Sequence, residues 1–146
     1  MKEAKGNLWY RAEADVIVIT TNGNIKKNGC CVMGRGCALE ARKLVSGIDR
    51  KLGEYLKEYG NRCFRLGNLS FGAEVWSMPV KHNWWEKADI ELIKTSASQL
   101  MEMADKFEMK NIYLPRPGCG NGGLKWEDVQ PILDKCLDDR FTCITF

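Results

Sequence analysis

Residues 15–21 read DVIVITT, a short and almost unbroken series of β-branched apolar residues. A strand with one solvent-facing side alternates apolar and polar residues, whereas a strand covered on both faces does not. We therefore expect a central strand here, in a sheet with helices on both faces. Such a chain falls in the α/β class, and its ligand sites are expected at the carboxyl ends of the strands.

The other apolar patterns alternate between helices and strands. Apolar stripes at steps of three and four predict helices over residues 48–59, 90–107 and 126–136, and a further helix begins near Gly36. Further strands are predicted at residues 8–11, 63–65, 74–80, 111–114 and 141–146. This alternation favours a parallel or mixed sheet layered by helices.

Length and composition predict one domain, residues 1–146. With 146 residues, 45% of them hydrophobic, the chain can bury one core of ordinary size but not two. The net charge of +3 permits a nucleic acid partner without requiring one. No apolar run has the length of a membrane span or of a signal-peptide core. We expect a cytoplasmic monomer with no membrane partner.

The seven cysteines predict reduced thiols rather than disulfides or a metal site. Their number is odd, no two have CxxC spacing, and the chain has one histidine, His82. We therefore expect no metal and no cofactor.

Two glycine-rich loops are the strongest functional signals. Residues 22–39 (NGNIKKNGCCVMGRGCAL) follow the central strand and precede a helix, and residues 115–124 (PRPGCGNGGL) also join a strand to a helix. Glycines let backbone amides approach an anion closely, and a helix N-terminus adds partial positive charge. Together the loops predict a diphosphate cradle; the alternative is that both are only flexible turns.

These segments resemble the macrodomain family, in particular the branch of ADP-ribosyl glycohydrolases that act on protein or DNA. The resemblance rests on ADVIVITTNGN, CVMGRGCALEARK, MPVKHNWWEKADIELI and, most specifically, LPRPGCGNGGLKWEDVQPIL. It implies a three-layer α/β/α fold with a central mixed sheet. The implied partner is ADP-ribose, free or attached to DNA or protein.

The resemblance also implies the site residues. Asn22 or Asn24 would face the distal ribose and are candidate catalytic residues. The diphosphate would be wrapped by residues of the first loop, Met33, Gly34, Arg35 and Gly36, and of the second, Gly118, Cys119, Gly120, Asn121 and Gly122.

Lys81 follows the predicted strand of residues 74–80 and so shares the sheet edge with both loops. By position alone it is equally an ordinary solvated lysine. Similarity to the DNA-directed members aligns it with their catalytic lysine. The anomeric carbon becomes oxocarbenium-like as its bond breaks, and attack by an amine or by a positioned water completes the hydrolysis.

Three features depart from the family pattern or extend it. Asn121 to Gly123 occupy the place where protein-directed members carry an aspartate, which favours DNA as the substrate. Gly6-Asn7 replaces the Gly-Asp pair that contacts adenine in many members. Trp84 and Trp85 would either cover the cleft or pack beneath the long helix, and we expect packing because large aromatic side chains are usually buried.

Three functions remain open from the sequence. The first is an ADP-ribosyl glycohydrolase with Lys81 as its central catalytic group. The second is an ADP-ribose 1''-phosphate phosphatase on the same fold. The third is a module that binds ADP-ribose without turnover, because a site with little acid or base beyond one lysine suits binding as well as catalysis.

Overall fold

The computed structural model describes residues 1–145, which contain six strands and four helices. The strands are β1 (Lys2–Lys5), β2 (Val16–Thr21), β3 (Phe64–Asn68), β4 (Glu74–Pro79), β5 (Ile112–Leu114) and β6 (Phe141–Thr145). The helices are α1 (Gly36–Leu44), α2 (Ile48–Tyr59), α3 (Ile90–Lys106) and α4 (Trp126–Cys136). No helix within residues 1–145 is both long enough and apolar enough to cross a bilayer.

The strands form one mixed sheet in the order β1-β6-β5-β2-β4-β3. All neighbours are parallel except β3, which is antiparallel to β4 at one edge. The carboxyl ends of β1, β2, β4, β5 and β6 therefore meet at the same edge of the sheet. The loops that follow four of these strands converge there.

Strand β2 is buried on both faces, as its sequence predicts. Val16 and Val18 pack in the cluster that contains α3 and α4, whereas Ile17 and Ile19 pack in the cluster that contains α1 and α2. All four side chains are fully buried. The expected three-layer α/β/α arrangement around a central mixed sheet is confirmed.

The strand predicted at residues 8–11 is wrong. Leu8 and Trp9 are buried, but they lie in the loop after β1, where their side chains pack against the α1 and α2 layer. The first strand is Lys2–Lys5, which pairs in parallel with β6 from Lys2↔Thr142 to Lys5↔Thr145. An edge strand is held by backbone pairing and needs no apolar face. The charged sequence of β1 therefore shows no apolar pattern by which the strand could be predicted. Phe146, the end of the last predicted strand, lies outside the described residues.

Candidate functional site

A cleft of about 480 Å³ opens at the carboxyl edge of the sheet. Its size falls within the range of about 300–1,000 Å³ that is typical of small-molecule sites. Five segments line it: residues 6–9 after β1; residues 20–22, 32–38 and 40 around the first glycine loop; Val80, Lys81 and Trp84 after β4; residues 115, 116, 118 and 120–122 of the second glycine loop; and Ile144 in β6. The fold thus brings the two glycine loops together at one site.

The first glycine loop delivers the uncapped N-terminus of α1 to the cleft. Arg35 is the N-cap residue but its side chain caps no amide, and the first turn contains no acidic residue. Within residues 1–145, the backbone N–H groups of Gly34 and Arg35 have no intramolecular acceptor. Unpaired amides and the positive end of the helix dipole favour an anion at this point.

The second glycine loop is tightly folded on itself, with its tip open. A Cβ at Gly122 would lie 2.4 Å from the carbonyl oxygen of Gly118, so the backbone must pass without a side chain there. A Cβ at Gly120 would meet nothing within 4 Å. The N–H groups of Gly120, Asn121 and Gly122 also have no acceptor within residues 1–145. Asn121 Nδ2 would lie 3.7 Å from a Cβ at Gly36, so the two loops face each other.

The charged side chains that line the cleft are mainly cationic. Among the described residues, the cleft is lined by three cationic side chains, Arg35, Lys81 and Arg116, and by one carboxylate, Glu40. The Arg116 guanidinium is held over the Trp126 ring, 4.9 Å from its centroid. This excess of positive charge, with the free amides of both loops, suits a doubly charged diphosphate.

Lys81 is held at the mouth of the cleft by its backbone and by its amine. Asn61 Nδ2 donates to the Lys81 carbonyl oxygen at 3.0 Å, and the Gly23 N–H donates to the carbonyl oxygen of His82 at 3.1 Å. The Lys81 amine donates to the carbonyl oxygen of Trp84 at 3.1 Å. The side chain is half-buried, so the amine lies within reach of both the cleft and solvent.

The two asparagines of the first loop occupy different positions. Asn22 lines the cleft. Its side-chain Nδ2 donates to the Val32 carbonyl oxygen, and its Oδ1 accepts from the Asn24 N–H, both at 3.0 Å. The Asn24 side chain does not line the cleft; it donates to Asn83 Oδ1 at 3.0 Å and accepts from the Trp84 N–H. The direct role of Asn24 at the ribose stays a prediction, and its visible role is to join the two loops.

The residues predicted for the diphosphate cradle line the cleft with one exception. Met33, Gly34, Arg35, Gly36, Gly118, Gly120, Asn121 and Gly122 are all at its surface. Cys119 contributes its backbone to the loop, while its thiol donates to the Pro117 carbonyl oxygen and packs against the core. Ligand contact by each of these residues stays a prediction.

The thiols near the cleft are held in their neutral form. Burial raises the pKa of the Cys37 thiol, although hydrogen bonding to Thr20 opposes the shift, and burial also raises the pKa of Cys119. A thiol nucleophile must be ionised, so neither group is suited to that role at neutral pH. All seven cysteines are free. Among residues 1–145, no cluster of His, Cys, Asp and Glu is arranged to hold a metal ion.

The expectation that Trp84 and Trp85 pack in the core is wrong. The two residues are 47% and 64% exposed, because the loop after β4 that carries them projects beyond the sheet edge and is held there by hydrogen bonds of Asn83 and Trp84 to the Asn24 side chain. Trp84 lines the cleft. Sequence reasoning also missed Glu40, Arg116 and Trp9 as lining residues.

The Lys81 loop is anchored to the start of α3. Asp89 caps α3 by accepting from the Glu91 N–H at 2.9 Å, and its other oxygen lies 2.8 Å from His82 Nε2. The hydrogen bond from His82 holds the pKa of the Asp89 carboxyl below its usual value. A lowered pKa means that the ionised form is stabilised by folding, so this contribution is complete above about pH 4 and is lost as the pH falls through the lowered value.

We therefore expect Asp89→Ala to lower the free energy of unfolding by about 1 kcal/mol at pH 7, the usual cost of losing an N-cap. Urea denaturation measures this difference, which should shrink as the pH is lowered below about 4. Glu102→Ala, at an exposed position of the same helix, is the control. Equal stability of the two variants at pH 7 would contradict the anchoring role.

The family model described as "Macro domain" matches residues 28–133. The chain belongs to this family. Among relatives, the DNA ADP-ribosyl glycohydrolase of Mycobacterium tuberculosis is 26% identical over 133 residues, covering 82% of this chain and 34% of the relative. This chain thus spans about a third of the relative's length.

Solved structures agree with the fold. The macrodomain of Thermus aquaticus DarG superimposes with a TM-score of 0.81 at 21% identity, covering 99% of this chain and 97% of that one. Thermosipho africanus DarTG in complex with ADP-ribose gives a TM-score of 0.75 at 18% identity, covering 98% of this chain and 41% of that one. The family predicted from the loop motifs is confirmed.

Proposed function

We propose that this chain binds ADP-ribose and hydrolyses its bond to a modified macromolecule, with DNA preferred over protein. The single observation that carries the proposal is the convergence of two glycine loops with unpaired amides on a cationic cleft that also contains Lys81. A relative named for action on ADP-ribosylated DNA and a similar fold in complex with ADP-ribose support it.

The proposed binding mode follows from charge and shape. The diphosphate lies between the α1 N-terminus and the tip of the second loop, where free N–H groups and Arg35 offset its charge. The adenosine extends toward the Gly6–Trp9 segment, and the distal ribose toward Asn22 and Lys81. The scissile bond then lies at the mouth of the cleft, where a macromolecule can be accommodated outside.

Lys81 acts in this scheme at the anomeric carbon. As the bond to the macromolecule breaks, positive charge develops on the ribose, and either the Lys81 amine or a water held by Asn22 forms the new bond. In the amine route, the N-glycosyl bond to Lys81 opens to an imine, which water hydrolyses to release ADP-ribose and the free amine. Borohydride reduces this imine to a stable secondary amine, so a covalent adduct on Lys81 distinguishes the amine route from the water route. In both routes water supplies the final hydroxyl and the macromolecule takes the proton.

The first test is binding of free ADP-ribose. A ligand that binds only the folded state stabilises it by about 2.7 kcal/mol at about 100 times its Kd, so the melting temperature should rise by several degrees. Calorimetry measures the same interaction directly, with AMP as the matched partial ligand. Absence of both heat and thermal shift at saturating ADP-ribose would refute the binding site.

The second test separates the three functions left open by the sequence. The protein is incubated with ADP-ribosylated DNA, ADP-ribosylated protein and ADP-ribose 1''-phosphate, and the products are identified. We expect free ADP-ribose from the DNA substrate. Release of phosphate alone would identify a phosphatase, and binding without any product would identify a binding module.

A further inference from the structure

Trp84 and Trp85 form an exposed aromatic pair beside the mouth of the cleft. Their ring centroids are 5.8 Å apart and the ring planes meet at 89°, so the edge of one ring faces the other. The side chains are 47% and 64% exposed. Two adjacent indole rings that are exposed to solvent can be contacted by a partner. Such exposed aromatic pairs are uncommon away from interaction sites.

A second, shallower depression of about 340 Å³ lies at this pair and adjoins the cleft. The two share Arg35, Lys81, Trp84, Asn121 and Gly122 as lining residues. Four residues, Trp85, Glu86, Lys87 and Gly123, line the shallow depression but not the cleft. We call the surface of Arg35, Trp84, Trp85 and Lys87 the tryptophan platform. A substrate held in the cleft by its ADP-ribose must leave the cleft beside it.

The two positive charges of the platform are not neutralised by ion pairs among the described residues. Within residues 1–145, neither Arg35 nor Lys87 forms an ion pair. The carboxylate in this depression, Glu86, instead accepts a hydrogen bond from Asn83 Nδ2 at 2.7 Å. Two unpaired cations therefore flank two exposed aromatic rings.

We propose that the tryptophan platform binds single-stranded DNA, with a nucleobase beside the modified nucleotide stacked on Trp85 and with a phosphate of the strand against Lys87. The inference rests on the proposed function, which puts the ADP-ribosyl group of the strand in the cleft. Every base has a planar face, so stacking on indole suits any sequence, and the negative phosphates of the strand are attracted to the positive charge beside the rings. A strand must be unpaired for its bases to stack here.

The test uses a short fluorescein-labelled oligothymidylate without ADP-ribose, so that binding is measured independently of turnover. Trp85→Ala should weaken the affinity about tenfold, an effect expected from losing one stacked base. The affinity for free ADP-ribose should not change, because Trp85 does not line the cleft. Phe71→Ala is the matched control, since it removes a 47% exposed aromatic ring from the turn between β3 and β4.

Salt dependence tests the phosphate contacts separately. The affinity for the oligonucleotide should fall as sodium chloride is raised, and Lys87→Ala should reduce the slope of log affinity against log salt by about 0.7, the value for one phosphate of a single strand. Lys110→Ala, an exposed lysine at the opposite edge of the sheet, should leave the slope unchanged. An unchanged slope in Lys87→Ala would contradict its phosphate contact.

Turnover then distinguishes the platform from the proposed function. On ADP-ribosylated single-stranded DNA, Trp85→Ala should raise KM with kcat unchanged, and its turnover on an ADP-ribosylated peptide should equal that of the wild type. A wild type that hydrolyses nothing would contradict the proposed function, while the oligonucleotide measurement would still decide the platform. The platform is refuted if the wild type does not bind the oligonucleotide, if Trp85→Ala binds it like Phe71→Ala, or if only the peptide substrate is affected.

Discussion

Lys81→Ala should lower turnover on ADP-ribosylated DNA by about 100-fold or more, the contribution typical of a positioned acid, base or nucleophile. The affinity for free ADP-ribose should fall only a few fold. A group that acts on charge developed during bond cleavage contributes mainly in the transition state, so its loss lowers kcat more than ground-state binding. Arg35 and Arg116 remain in the cleft to balance the diphosphate.

Single-turnover kinetics and calorimetry measure the two effects on the same preparation. Lys110→Ala removes a lysine at the opposite edge of the sheet and should match the wild type in both. Asn22→Ala, in the same assay, shows how much of the rate depends on a positioned water. Near-normal turnover in Lys81→Ala would refute the lysine mechanism, and the binding-module function would then be favoured.

Gly120→Val should abolish ADP-ribose binding, with a loss of at least about 100-fold, or about 2.7 kcal/mol. A Cβ at this position meets nothing within 4 Å, and the residue has no positive φ, so the fold accepts a side chain. In the proposed binding mode, this empty space between the loops is where the diphosphate would lie. A branched side chain there excludes the ligand without disturbing the core.

Gly122→Ala is the contrasting variant two residues away. Its Cβ would lie 2.4 Å from the Gly118 carbonyl oxygen, so this substitution should lower the melting temperature as well as the affinity. Thermal denaturation and calorimetry on both variants separate loss of fold from loss of site. A Gly120→Val protein that binds ADP-ribose normally would mean that the second loop is only a turn.

The sequence predicts those elements of the fold that depend on a local pattern. Strand β2 could be recognised because β-branched residues buried on both faces leave no polar alternation, and α3 because its apolar stripe spans 17 residues. Strand β1 could not, because its charged residues are placed by pairing with β6, some 140 residues away. Trp9 was wrongly assigned to a strand because apolar residues that are buried in a loop cannot be distinguished by sequence from apolar residues that are buried in a strand.

The glycine loops could be predicted because their close backbone approaches need the residue type itself, as at Gly122, where a Cβ would collide with the Gly118 carbonyl oxygen. The other parts of the site depend on tertiary contacts between side chains and loops. Arg116 is held by stacking on Trp126, and Trp84 by the Asn24 amide, 60 residues earlier in the chain. Neither contact has a local signature. The exposure of the two tryptophans likewise follows from where the loop after β4 projects, which only the assembled sheet edge determines.

The Asn24 side chain joins the first glycine loop to the loop after β4, and we expect this contact to couple the proposed ADP-ribose cleft to the proposed DNA surface of the tryptophan platform. In the proposed binding mode, a diphosphate that orders the first loop would also restrict the backbone of Trp84 through this amide. Such coupling is reciprocal: if ADP-ribose tightens the binding of a strand, the strand must tighten the binding of ADP-ribose by the same factor. In the proposed reaction, hydrolysis would leave two products without a covalent link, and the departure of either product would then weaken the binding of the other.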